Sequence, residues 1–206
     1  MAFASDATVP IVLASTSTYR RELLRRLRLP FDVLAPGVDE APLAGEAPRA
    51  TALRLARLKA EAGSRARPGT VVIGSDQVAD LDGRPLGKPG SFDAAVEQLV
   101  AMNGRSVEFH TALAVLDGRR ATIEVDCVTT TVTYRRLERA ALAAYVRLDE
   151  PYDCAGAARI ESLGVCLVEA VRADDPTALI GLPMIRLTAM LQRCGLDALA
   201  PRPPGP

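Results

Sequence analysis

The sequence predicts an α/β protein built on a mixed sheet. Short apolar, β-branched runs alternate with segments whose apolar residues recur every three or four positions. Asp82-Gly83 and Asp117-Gly118 each separate two strand-like runs, as hairpin turns do. Hairpins make neighbouring strands antiparallel, so the sheet cannot be purely parallel.

The first strand is Pro10–Ala14. It leads through Ser15-Thr16-Ser17-Thr18 into a helix that Ser17 or Thr18 can cap. Leu23, Leu24 and Leu27 share one face of that helix, and Arg21, Arg25 and Arg28 another. Such a loop, with free N–H groups, hydroxyls and arginines, is either a polyanion site or an ordinary strand-to-helix turn. Phe31–Leu34 reads as a second strand and runs into a loop carrying Asp39-Glu40. Pro48 suits the first turn of the next helix. Ala52, Leu55, Ala56 and Lys59 then form one stripe, so Lys59 either snorkels outward or reaches into a polar site. Gly63–Gly69 is a short polar connection.

Thr70–Ile73 is a buried strand that is expected to end in Gly74-Ser75-Asp76-Gln77. Active sites of α/β proteins commonly lie at such carboxyl ends. Asp76 could hold a divalent cation, accept a proton from water or cap a turn. A two-residue loop at Asp82-Gly83 pairs Leu81 with Arg84, Ala79 with Leu86 and Gln77 with Lys88, which returns Lys88 to the vicinity of Asp76. Phe92–Met102 is a helix closed by Asn103-Gly104. Val107–Leu116 and Ala121–Tyr134 are long strands, and a change of alternation near Cys127-Val128 predicts a bulge or bend. His110 in the first of them reads as structural. Glu138–Leu148 is helical, Tyr152–Gly164 is rich in small residues that allow close approach, and Val165–Val171 is a final strand. Ile180-Gly181-Leu182-Pro183 opens the last helix.

With 206 residues the chain can form one substantial core or two lobes sharing a sheet. It reads as a single domain over 1–206, with frayed tails at about 1–8 and 201–206. Basic and acidic residues balance at 25 each, so no global field favours nucleic acid or membrane, and any anion site must be local. Cys127, Cys154, Cys166 and Cys194 form no Cys-x-x-Cys pair and meet a single histidine, which argues against a zinc site of the usual kind. They read as reduced, mostly buried thiols of a cytoplasmic protein with no signal peptide or membrane span.

The Ile11–Leu24 stretch resembles the opening signature of the Maf-like nucleoside triphosphate pyrophosphatases: Leu-Ala-Ser, two small residues, a proline and paired basic residues. Thr18 stands at the proline, Tyr19 at the first arginine of many members, and Arg20 keeps the second. Similar to the same family are Ala56-Arg57-Leu58-Lys59-Ala60, where Leu58 replaces a glutamate, Gly74-Ser75-Asp76-Gln77, Lys88-Pro89 and Ile180–Pro183. The resemblance runs from about Ile11 to Gly195. It implies a mixed, twisted sheet flanked by helices, with two lobes around a substrate groove (Maf/ITPase-like), and chains that commonly pair as homodimers.

The activity it implies is attack by water at the α–β linkage of a nucleotide, releasing a monophosphate and diphosphate. Ser15, Arg20, Lys59 and Lys88 would hold the phosphates. Glu40, with Asp39 weaker, and Asp76 would bind Mg²⁺ or Mn²⁺, or Asp76 would instead be the proton acceptor, since one carboxylate cannot easily be both a tight metal ligand and a good base. Tyr19 and Gln77 resemble the subgroup that acts on 7-methylguanosine triphosphate, and Glu161 stands at a position, often glutamine in the family, that touches the base. A 7-methylguanine ring is cationic, so an aromatic face and a carboxylate would favour it over plain guanine by about 0.5–2 kcal/mol. Two other readings are the same chemistry on dTTP or UTP, and a nucleotide-binding regulator of septum formation with little catalysis.

Overall fold

The computed structural model describes residues 9–200, so the expected frayed tails lie outside the described residues. Among the described residues, seven strands form one mixed sheet: β1 (Ile11–Ala14), β2 (Asp32–Leu34), β3 (Val71–Leu81), β4 (Arg84–Leu86), β5 (Ser106–Asp117), β6 (Thr122–Tyr134) and β7 (Val168–Arg172). Their order is β2-β1-β3-β5-β6-β7, with β4 on the free edge of β3. Only β2-β1-β3 is parallel; every other pair is antiparallel. The helices are α1 (Thr18–Arg25), α2 (Pro48–Ala66), α3 (Phe92–Met102), α4 (Arg139–Asp149) and α5 (Met184–Arg193).

Strand periodicity explains the layers, because alternate residues of β3 and β5 serve opposite faces. On one face, Ile73, Leu113 and Val115 pack with Leu23 and Leu24 of α1 and Leu187 and Leu191 of α5. Further along that same face, Ala79, Val107 and Phe109 pack with Leu99 of α3 and Leu142 and Val146 of α4. These two cores occupy the two ends of the long strands. Each fully buried leucine among them contributes about 1.5–3 kcal/mol of transfer free energy. The opposite face is covered by α2, whose Ala52, Ala56 and Ala60 meet Ala112 and Ala114. That contact is unusually close: a Cβ on Gly74 would lie 2.2 Å from the Ala56 carbonyl oxygen and 2.6 Å from the Ala60 nitrogen. Only glycine fits under the helix there.

Several expectations change. β3 does not end at Gly74 but continues to Leu81, so Asp76 lies mid-strand. Its partner β1 does end there: the β1–β3 ladder covers Val71–Ile73, and β4 takes up the same edge only from Ala79. The stretch from Gly74 to Val78 is therefore bare on that edge. The hairpin ladder keeps the Leu81–Arg84 and Ala79–Leu86 pairs but stops at Leu86, before Gln77 could pair with Lys88. No bulge occurs at Cys127-Val128; the β5–β6 register runs unbroken from Ser106↔Thr133 to Asp117↔Thr122. The alternation changes because β6 packs Val125 and Cys127 toward the α2 side and Val132 and Tyr134 toward the α3–α4 side. The irregularity lies instead at Thr133/Tyr134, against β7. Helix α2 extends through Gly63 to Ala66, which shortens the polar connection. Leu163–Leu167 is a 3-10 turn, so the last strand begins at Val168. The four cysteines are free; three are half-buried and Cys166 is exposed, so the expectation of mostly buried thiols does not hold. Among the described residues, no helix is long and apolar enough to cross a membrane.

Candidate active site

The bare stretch of β3 opens on a cavity of about 910 Å³. Its wall includes Ser15, Tyr19, Arg20, Glu40, Lys59, Asp76, Gln77, Lys88 and Glu161. All nine residues singled out in the sequence thus meet in one place. Asp39 does not join them: its carboxylate accepts the Ala41 N–H at 2.9 Å and stabilises the turn.

One wall is the loop between β1 and α1. Ser17 caps α1, accepting the Arg20 N–H at 3.3 Å, and the Ser17 N–H donates to Ser15 Oγ at 3.1 Å. Arg20 Nε donates to the Gly181 carbonyl at 2.9 Å, which fixes the guanidinium at the helix N-terminus. Burial lowers the pKa of Arg20, while Asp76 and Glu40 favour its charged form. A capped helix start beside an arginine is a ready anion site.

The floor comes from α2 and β3. Lys59 is 4 % exposed, so it does not snorkel. Its Nζ donates to Asp76 Oδ1 at 2.7 Å and pairs with Glu40 Oε1 at 2.8 Å. Gly74 permits this, because the close approach of α2 brings Lys59 over Asp76. Burial would raise the Glu40 carboxyl, but the Lys59 hydrogen bond and charge, then Lys88 and Arg20, hold it below the usual carboxylate range. Glu40 and Asp76 each engage Lys59 through one oxygen, which leaves each a second to offer. Two converging carboxylates with hard oxygen donors fit a Mg²⁺ or Mn²⁺ ion that completes its shell with phosphates and water.

Tyr19 stands beside Asp153 and Cys154 in the same lining, which Glu161 also joins. Burial first, then Cys154, push the Tyr19 phenol up to about 12, with Arg159 opposing and Asp153 adding to the rise. Tyr19 and Glu161 line the same cavity. Gln77 is differently employed: its Nε2 donates to Thr111 Oγ1 at 2.9 Å and to the Ala178 and Leu179 carbonyls at 3.1 and 3.0 Å. What remains for a ligand is its carbonyl oxygen. Sequence reasoning passed over Asp153 and Arg159, which are joined by a 2.7 Å ion pair. The signal available was the acidic residue heading the small-residue stretch, and nothing in the sequence tied it to Tyr19.

Fold and groove define a class: an α/β protein whose cavity gathers the basic side chains of Arg20, Lys59 and Lys88 with the carboxylates of Glu40, Asp76 and Glu161. Residues 10–194 match the model of the Maf-like protein family, so the chain belongs to that family. It is 56 % identical over 191 residues to the 7-methyl-GTP pyrophosphatase of Cupriavidus metallidurans, covering 93 % of this chain and 96 % of that one. It is 58 % identical over 189 residues to the 7-methyl-GTP pyrophosphatase of Bordetella avium, covering 92 % and 95 %. Among solved structures, the Ham1 protein of Staphylococcus aureus aligns with a TM-score of 0.44 at 22 % identity, over 61 % of this chain and 71 % of that one.

Proposed function

We propose that this chain is a nucleoside triphosphate pyrophosphatase that converts 7-methyl-GTP and water to 7-methyl-GMP and diphosphate. The observation that carries the reading is a buried lysine joining two carboxylates in the cavity that also holds Tyr19 and Glu161. The relatives named for this activity support the choice of substrate.

In this reading Ser15, Arg20, Lys59 and Lys88 bind the phosphate chain. The charge of Arg20, Lys59 and Lys88 offsets the negative charge that grows on the leaving diphosphate. Asp76 takes the proton from water as the new P–O bond forms and the α–β anhydride bond breaks. Lys59 holds that carboxylate in place before reaction, which removes an orientation cost from the step. A bound Mg²⁺ or Mn²⁺ would neutralise phosphate charge, with Glu40 as its protein ligand and Asp76 left to act as the base. Tyr19 stacks on the cationic base, Glu161 adds a counter-charge, and the Gln77 oxygen can accept from the base edge. A homodimer and a cytoplasmic location belong to the same reading, and sedimentation of the purified protein checks the first.

The test is diphosphate release with Mg²⁺ from 7-methyl-GTP, GTP, dTTP, UTP, CTP and ATP. Preference for 7-methyl-GTP is expected, and Asp76→Asn is expected to stop turnover while nucleotide still binds. Tyr19→Ala and Glu161→Gln should each erode the preference over GTP by about 2- to 30-fold. Pyrimidine preference would reject the account of the base pocket, and no turnover by folded protein with either metal would favour the regulatory reading.

A further inference from the structure

A second group of ligand-type side chains lies outside the cavity. Asp80 on β3 sits directly opposite Glu108 on β5, and His110 is two residues further along β5. Cross-strand partners and i, i+2 residues share one face of a sheet, so the three side chains converge. His110 Nε2 is 3.3 Å from Asp80 Oδ2 and 3.7 Å from Glu108 Oε2. Asp80, Glu108 and His110 each offer an atom within 4.8 Å of the others, and among the described residues no other trio of His, Cys, Asp or Glu does so.

We propose that Asp80, Glu108 and His110 form a binding site for one borderline divalent cation of the zinc, cobalt or nickel kind, separate from the catalytic groove. Three observations point there. With bonds of about 2.0–2.2 Å, donor atoms around a tetrahedral ion stand about 3.3–3.6 Å apart, close to the two distances to the imidazole. Two carboxylates directly opposite across a ladder repel each other and call for a cation between them. The inner two ligands are already oriented from behind. His110 Nδ1 pairs with Thr129 Oγ1 at 3.0 Å, and Asp80 Oδ1 accepts the Gly83 N–H at 2.6 Å. Such outer partners fix ring and carboxylate orientation in metal sites.

The imidazole and Asp80 are 6 % and 13 % exposed, whereas Glu108 is 54 % exposed, so the fourth position opens to solvent. An imidazole ligand selects against Mg²⁺, which takes oxygen. The site is distinct from the groove: none of the three residues lines it, and Asp80 is about 13 Å along β3 from Asp76 at 3.3–3.4 Å per residue. Through Asp80 and Gly83 the ion would hold the turn of the β3–β4 hairpin.

The chain contains a single histidine, so the test needs no assignment. Tag-free protein in excess Mg²⁺, which fills oxygen-only sites, is titrated with Zn²⁺ while the imidazole nitrogens are followed by NMR. The Nε2 resonance is expected to move and saturate at one equivalent. Co²⁺ should give the visible absorption of a four-coordinate ion, lost in His110→Gln, and Thr129→Val should weaken Zn²⁺ binding about 10- to 100-fold. An imidazole unmoved at one equivalent, or unchanged Zn²⁺ affinity in folded His110→Gln, would overturn the proposal. In that case His110 serves as a hydrogen-bond partner of Asp80 and Thr129. The NMR arm uses unaltered protein, so it decides the matter even if a variant misfolds.

Discussion

Replacing Lys59 by methionine keeps much of the side-chain volume and removes the charge that joins Asp76 to Glu40. Asp76 would then keep a carboxylate whose side chain is 11 % exposed, with its 2.7 Å partner gone. Breaking a buried pair from one side costs about 3–5 kcal/mol, and the cavity beside Asp76 admits water, so the expected loss is at the low end, about 3 kcal/mol. Glu40 adds little, because its side chain is 57 % exposed. For a chain of 206 residues that loss lowers Tm by about 6–12 °C. Differential scanning calorimetry and urea midpoints measure it. Lys59→Met combined with Asp76→Asn should recover about 1–3 kcal/mol relative to the sum of the single changes, since the orphaned charge is gone. Diphosphate release by Lys59→Met should fall about 10²- to 10³-fold, as for loss of one electrostatic contact to the developing charge. A stability change within about 0.5 kcal/mol, the usual effect of an exposed side chain, would refute the placement of Lys59 in the groove.

Three other outcomes are expected. Gly74→Ala puts a methyl 2.2 Å from the Ala56 oxygen, so α2 must shift; a stability loss of about 1–3 kcal/mol should come with a larger fall in kcat, because Lys59 and Asp76 separate. Equal activity per folded molecule would show that the helix spacing does not matter to the site. Glu40 is held below its ordinary 4.5, so its stabilising contribution is full above that pH and is lost as pH falls through the lower folded-state value. The stability difference between the native chain and Glu40→Gln should therefore stay flat from neutral pH to about 5 and shrink only below 4.5, as acid titration of denaturant midpoints would reveal. Gln77→Leu removes the amide that holds the Ala178 and Leu179 carbonyls; it should cost about 1–3 kcal/mol and raise KM more than it lowers kcat, through the loosened Gly181–Arg20 contact. An unchanged KM would detach that loop from phosphate binding.

Where local pattern and tertiary environment agree, the sequence was readable. Helix α3 runs from Phe92 to Met102 and closes at Asn103, as the Asn103-Gly104 stop signal requires. Lys59 stood out because it breaks an apolar stripe, and the structure gives the reason in Asp76 and Glu40. The length of β3 was hidden, since Gly-Ser-Asp-Gln has turn chemistry. Here the glycine makes room for α2, the aspartate is met by Lys59 and the glutamine by carbonyls about 100 residues away, so packing overrides local preference. The bulge expected at Cys127 came from reading one strand alone, whereas the phase change arises from different helices covering the two faces. Asp80, Glu108 and His110 were equally invisible, because only the β3–β5 register brings them together.

The interruption between β1 and β4 also bears on how this molecule avoids sticking to its neighbours. Unpaired strand edges recruit other chains, and aggregation through them uses segments of six or seven residues. The bare edge of β3 spans only Gly74 to Val78 and is stopped at both ends by paired strands. A foreign strand finds no rail long enough to dock on, while Asp76, Gln77 and Val78 still line the cavity. One gap in the ladder thus gives the cavity its wall and stays too short for another chain to pair along.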